Sequence, residues 1–385
     1  MSLIERTAAH LRRISLKLYH TLSIPMLSYL WTRMHRNASY RHPVTVAKTA
    51  RAKPHVLFVT EKWCDCKPEL GTTNSAHNLW GSLHTSGLAT YDCFHFDEYL
   101  FLHNRPGDSA LLKLCMHSQP DLLLLTWTPL ASHNSNRYNP KLATLHLIRT
   151  KMRIPIVAIW FDSVLPPVMR LAESLLPLVN LNVVVDSPTA YLKSTHHPEK
   201  YLPLWTPQDS RVFHNPRLER DIDVSFTGSL VNRSDRWSGI AALKANGVEV
   251  HQTGGQREKH LPVDEYARVY MRSKIALNFC STGPHIQTKG RVFEATLCGA
   301  LLMEAENSQT AKWFEPMTEY VAFRDESDLV GKVKYYLAHS SERREIAMRG
   351  HQKAKERYTG EMFWQVVLGK YLGLFAEKGE GDASI

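Results

Sequence analysis

The sequence predicts an α/β chain. Two doubly wound domains of parallel strands covered by helices face each other across a cleft, behind a basic helical extension. Three observations lead there. Beyond Lys53, short apolar runs alternate with stretches of helical period, roughly ten to fifteen residues each, and turn residues stand between them. The alternation breaks once, at the polar, proline-containing passage from Pro207 to Asp221, and then restarts. Charge is also unevenly spread: residues 1–53 hold ten Lys or Arg against Glu5 alone, +9 of the chain's net +10. The resulting division is 1–53 for the extension and linker, 54–207 and 208–358 for the two domains, and 359–385 for a crossing helix and tail.

In the first domain the strand candidates are His55 to Thr60, Tyr91 to Asp97, Asp121 to Trp127, Ile154 to Asp162, Leu181 to Ser187 and Lys200 to Trp205. Helices fill 74–86, 111–118, 140–151, 167–177 and 188–194. In the second domain the strands are Val224 to Gly228, Val248 to Gln252, Lys274 to Phe279, Ala300 to Glu304 and Tyr320 to Phe323. Helices run from Asp235 to Asn246, where Gly247 stops them, from Asp264 to Arg272, and from Val292 to Cys298 before Gly299; two more cover 327–338 and 341–357. Glu361 to Leu374 reads as a helix whose apolar face suits a return to the first domain or a place on the second. Ligands of such sheets bind beyond the carboxyl ends of the strands, which puts a site in the cleft.

The extension is amphipathic. Leu3, Ile4, Leu11, Ile14, Leu18 and Leu22 share a helical face, with Arg6, Arg12, Arg13 and Lys17 opposite and Pro25 as a break. Its longest uncharged run, Leu18 to Thr32, is too short and polar to span a bilayer, and its interleaved charges do not form a secretory signal. Three roles fit: an in-plane helix on anionic lipid through residues 1–36, a packing helix, or an organellar presequence. The remaining residues hold 37 basic and 36 acidic groups, a balance that predicts no nucleic-acid groove. Six cysteines without a CxxC pair predict reduced thiols in the cytoplasm, and the first of the three roles would add peripheral attachment to the inner face of a membrane.

The chemistry is expected around Lys289-Gly290-Arg291-Val292-Phe293-Glu294-Ala295-Thr296-Leu297-Cys298-Gly299-Ala300. Lys289 and Arg291 stand at a helix N-terminus, where free amides and the helix dipole favour anions, and two cations there suit a diphosphate. Glu294, one turn on, can accept from two vicinal hydroxyls such as a ribose diol. A capped amphipathic helix with solvated Lys, Arg and Glu would show the same spacing. The strand end Ser225-Phe226-Thr227-Gly228-Ser229, followed by Asn232 and Arg233, opens the second domain; Gly228 lets backbone approach a phosphate, Ser229 lies beside it and Arg233 adds charge.

The segment resembles the glycosyl transferases group 1 signature of CgeB-like enzymes, roughly K-G-R-x-F-E-x-x-x-C-G-A before an apolar strand. The similarity continues upstream through Ser273 to Phe279 and downstream through Trp313-Phe314-Glu315-Pro316, Tyr335, Leu337 and Arg349-Gly350-His351, covering about Asp264 to Tyr358. In the first half it extends only to strand order and segments such as Tyr201-Leu202-Pro203-Leu204. The resemblance implies the GT-B architecture, with two Rossmann-like domains, and sugar transfer from a nucleotide-diphosphate donor, a UDP-sugar favoured. Glu294 matches the family glutamate that binds the donor ribose. The second, sugar-contacting glutamate of wider relatives is replaced by Ile286. Within the resemblance, an epimerase of the same fold and a non-catalytic nucleotide-sugar binding protein are the alternatives.

The acceptor, a hydroxyl on carbohydrate, lipid or protein, is expected from the first domain. Gly71-Thr72-Thr73-Asn74-Ser75-Ala76-His77 joins the first strand to the first helix, and Gly71 suits a backbone loop approaching the donor. His77 and Asp162, the latter ending a strand, are the candidate bases, because deprotonating a hydroxyl requires an imidazole or carboxylate. Asp221-Ile222-Asp223 imitates a metal-binding DxD but precedes its strand. No metal or other cofactor is therefore expected, and cations and helix dipoles take over stabilisation of the departing diphosphate.

Overall fold

The computed structural model describes residues 51–127, 138–193, 195–230, 233–253, 261–279, 281–282 and 285–372. Almost all of the basic extension, Asn232 and the tail after Leu372 lie outside the described residues.

The first sheet has six strands: β1 (His55–Thr60), β2 (Thr90–His95), β3 (Leu122–Thr126), β4 (Ile156–Trp160), β5 (Leu181–Val184) and β6 (Tyr201–Pro203). They are all parallel, in the order β2-β1-β3-β4-β5-β6. Every residue of β1, β3, β4 and β5 is buried, as expected of parallel strands covered on both faces. The covering helices are α1 (Ser82–Ser86), which continues a π-helical turn over Ala76–Gly81, α2 (Phe96–His103), α3 (Asp108–Ser118), α4 (Leu142–Thr150) and α5 (Pro166–Leu175). Two prolines in the first turn of α5 cost nothing there, because those amides have no intrahelical partner.

The second sheet is parallel as well: β7 (Ile222–Thr227), β8 (His251–Thr253), β9 (Ser273–Asn278), β12 (Leu301–Ala305) and β13 (Val321–Phe323), in the order β13-β12-β9-β7-β8. A short hairpin, β10 (Ser281–Thr282) with β11 (His285–Ile286), follows β9. The helices are α6 (Ser234–Ala245), α7 (Val263–Arg272), α8 (Gly290–Leu297), α9 (Glu326–Ala338), α10 (Ser340–Arg357) and α11 (Gly360–Leu372). In each sheet the strand order reverses beside its first strand, so the two switch points lie beyond Thr60 and Thr227.

Several elements differ from the sequence reading. The second strand stops at His95 and residues 96–103 are helical. The Asp97 carboxylate accepts from the amides of Lys62 and Trp63, and that tertiary demand bends an apolar run away from the sheet. The helix expected over 188–194 is a single 3₁₀ turn, Ala190–Lys193. Gln309 of the second domain accepts from the amides of Thr189 and Ala190 at its start. The polar passage from Pro207, which lies between the two sheets in sequence, contains buried residues: Gln208, Asp209 and Phe213.

One apolar cluster runs from Val56 and Phe58 of the first sheet through Trp205 and Phe213 to Phe293, Trp313, Phe363 and Trp364. Helix α11 crosses back to the first domain. Trp364 packs edge-on against Phe58 at 5.8 Å, and its indole donates to Ser82 Oγ at 2.8 Å. Trp205 donates to Thr359 O at 3.1 Å. The two sheets therefore share a core around the seam into which their strand ends open.

Candidate active site at the seam between the sheets

Beyond β7 the chain turns at Gly228, whose φ of +145° is glycine territory. A Cβ there would stand 2.7 Å from Arg291 Nη1, so the guanidinium lies against the bare α-carbon. Arg291 comes from the first turn of α8, whose N-cap residue, Lys289, offers no side-chain cap to the free amides. Its Nε donates to Asn278 Oδ1 at 3.1 Å, while Nη2 is buried without a partner. Arg236, from α6, reaches the same place. Arg236 and Arg291 lie 5.6 and 5.8 Å from the Phe226 ring centroid, and Arg236 donates to the Ser229 carbonyl. Burial first, then the charges of Arg291 and Arg233, lower Arg236 to about 9, and its Nε is also unpartnered. Two crowded, desolvated guanidiniums at a glycine turn form a pocket edge that an anion would relieve.

Sequence reasoning missed Arg236, which sits on a helix like any surface arginine; its distance from the glycine turn was the available signal. Arg233, which it favoured, is forked onto Asp235 at 3.1 and 3.2 Å.

Glu294 is 5 % exposed and accepts from the Tyr266 hydroxyl. Burial pushes its carboxyl up to about 7 against the opposing pull of Tyr266 and Arg291. A Cβ at Gly290 would crowd Glu294 Oε1 at 3.2 Å and stand in ordinary contact with Thr206 Cγ2 at 3.5 Å and Gln208 Nε2 at 3.6 Å. Glu304, at the end of β12, accepts from Asn278 at 2.8 Å and Asn307 at 3.1 Å, and burial likewise brings it to about 7.

Across the seam, Asp162 has a left-handed φ of +55° just after β4. Its Oδ1 accepts from Gln287 at 3.1 Å and pairs with Lys289 Nζ at 3.4 Å, so these two sequence candidates meet each other in this state. Burial lowers Lys289 from its ordinary value. Asp186, which sequence reasoning did not single out, follows β5. Its Oδ1 accepts from Ser163 at 2.5 Å, its carbonyl accepts from the Thr288 amide at 2.8 Å, and its Oδ2 is buried without a partner. Burial pushes this carboxyl to about 7. Like Asp162 it is an acid just past a strand end, and that rule would have found it.

His77 is buried against Phe213, with ring centroids 5.3 Å apart, and burial lowers it to about 4. It is a neutral imidazole at pH 7, and its Nε2 has no partner. Gly71, φ +85°, sits in an open loop held by Glu61, whose carboxylate accepts from Thr73, Ser75 and Thr126 at 3.0 to 3.1 Å. The acids of Asp221-Ile222-Asp223 stand at the entrance of β7, paired with Arg272 and Lys274. Among the described residues, no three His, Cys, Asp or Glu side chains are grouped to hold a metal ion. A surface hollow of about 400 Å³ lined by Arg324, Asp328 and Tyr335 lies on α9 and contains none of these groups.

The chain matches the family described as glycosyl transferase-like over residues 212–368. No curated protein matches it. Among solved structures it is similar to HepE of Anabaena in complex with UDP and glucose, at 13 % identity over 83 % of this chain and all of that one, with a TM-score of 0.58. A glycosyltransferase of Rickettsia africae is similar at 9 % identity over 84 % of this chain and all of that one, with a TM-score of 0.54. The T4 phage glucosyltransferase BGT in complex with its UDP-glucose substrate follows, at 13 % identity, 83 % and full coverage, and a TM-score of 0.52. Residues 212–368 match the glycosyl transferase-like family model, and the two parallel sheets with their covering helices give the chain the GT-B fold of these solved structures.

Proposed function

We propose that the chain transfers a sugar from UDP-sugar to a hydroxyl acceptor, with the donor held by the second domain. The observation that carries this reading is the meeting of Arg291 and Arg236 at Gly228, on the switch point of the second sheet and one helical turn from Glu294. The diphosphate lies along Gly228, Ser229 and the α8 amides, between the two guanidiniums; Arg233 and Lys289 add charge around it. Glu294 accepts from the ribose hydroxyls, and Gly290 leaves them room. UDP is favoured because HepE and BGT, which share the fold, are seen with UDP or UDP-glucose.

The acceptor enters from the first-domain strand ends, past the Gly71 loop and His77. Its hydroxyl proton passes to a seam carboxylate, Asp162 or Asp186. The hydroxyl oxygen bonds to the anomeric carbon as the bond from that carbon to the diphosphate breaks, and UDP leaves with the electron pair. An acid near 7 with one unpartnered oxygen suits Asp186 to this task. Arg291, Arg236 and Lys289 supply the charge that a metal would otherwise bring, so no metal is required.

A thermal-shift panel of UDP, GDP, ADP and dTDP tests the donor. UDP at a hundred times its dissociation constant should stabilise by about 2.7 kcal/mol. Release of UDP from a UDP-sugar should depend on acceptor and survive EDTA. Activity lost to EDTA and restored by manganese would contradict the metal-independent route, and interconversion of the donor without transfer would favour an epimerase.

A further inference from the structure

The segment joining the two domains contains one side chain whose chemistry is unused. Thr206, Gln208 and Asp209 are all buried, at 3, 1 and 2 % exposure. Thr206 donates to Val185 O at 3.0 Å. Asp209 accepts from Thr85 at 2.7 Å and is forked by Arg211 at 2.7 and 3.2 Å. Gln208, between them, has neither its Nε2 nor its Oε1 hydrogen-bonded, although both atoms are shut away from solvent. Folded chains rarely leave one buried amide atom unpaired, let alone both, because each has given up its bonds to water for nothing in return.

The position of that amide gives it a use. The bare α-carbon of Gly290 faces Glu294 Oε1 and Gln208 Nε2, which lie 3.2 and 3.6 Å from where a Cβ would stand. A carboxylate from α8 and a carboxamide from the interdomain segment thus flank one notch at the helix N-terminus. The pair combines acceptors with a donor, which is what a vicinal diol, itself donor and acceptor, requires.

We infer that Gln208 is a donor-reading residue: its carboxamide hydrogen-bonds the ribose diol together with Glu294, making the 2′-hydroxyl a condition of tight binding. This rests on the donor site proposed above. Because Gln208 belongs to the segment between the domains, the same contact ties donor binding to the position of the first domain. A site built to bond a hydroxyl rejects the analogue that lacks it, since its own polar atoms are then left unpaired.

The test is calorimetric titration of the full chain with UDP and with 2′-deoxy-UDP, for wild type, Gln208→Leu and Gln208→Met, with Tm of the ligand-free proteins alongside. Wild type should bind UDP at least tenfold more tightly than 2′-deoxy-UDP. Both variants should lose most of that preference through weaker UDP binding, while their ligand-free Tm holds or rises because an unpaired amide has been removed. A preference unchanged in both variants, with UDP still bound, would overturn the role of Gln208 and leave the donor site standing. A lowered Tm with an unchanged preference would make Gln208 a packing residue. No binding of UDP by folded wild type would overturn the donor site, and this inference with it.

Discussion

Asp186, Glu294 and Glu304 are three buried carboxyls at the seam, and burial brings each to about 7. An acid raised in the folded state binds more protons folded than unfolded between its ordinary value and the raised one, so stability falls as pH rises through that window. Gln cannot ionise. The Tm of Glu294→Gln relative to wild type should therefore climb from pH 5 to pH 7.5, and a difference flat with pH would show that Glu294 is not buried as described. His77 has the opposite sign: lowered to about 4, it removes stability as pH falls below its ordinary 6.5. For catalysis, Asp186→Asn should lower kcat by about 10²- to 10⁴-fold with UDP affinity retained. Asp162→Asn, which frees Lys289, should have the smaller effect on kcat; the reverse ranking would return the proton to Asp162. Glu294, Arg291 and Gly228 were legible in the sequence because they lie on a motif or a glycine turn. Arg236 and Gln208 were not, because their meaning comes from neighbours brought in by folding.

Helix α8 carries most of these groups: Gly290 lies beside Glu294 and Gln208, its first amides have no side-chain cap, and Arg291 lies against Gly228. Strand and helix positions were largely readable from apolar period, and the misses have local causes. At Phe96–His103 an apolar run follows β2 directly, and only the Asp97 bonds to the Lys62 and Trp63 amides decide for helix. For α11 the sequence left two destinations open, and Trp364, 0 % exposed against Phe58 and Ser82, decides for the first domain. Trp364→Ala should lower Tm by roughly 5–10 °C, since truncating a buried Trp costs about 3–5 kcal/mol. Loss of less than a degree would mean that α11 does not anchor the two sheets.

The two sheets meet through a shared apolar core and a polar seam, so the cleft is built by the whole chain rather than by either half. Charge is divided on the same scale: residues 54–385 are near neutral, with 37 basic and 36 acidic groups, while the excess lies in residues 1–53. No helix among the described residues is long and apolar enough to cross a membrane. We propose that residues 1–36 hold the enzyme on anionic lipid. The full chain should sediment with vesicles containing phosphatidylserine and less with neutral ones, and replacing Arg12, Arg13 and Lys17 by Glu should release it, each charge near the surface contributing about 1 kcal/mol. Equal binding to both vesicles would remove this reading. The donor site itself is tested most directly by calorimetric titration of UDP into wild type, Arg291→Ala and Arg236→Ala. Saturable binding by wild type, weakened roughly a hundredfold by either substitution, is the predicted result; undiminished affinity in both variants would contradict it.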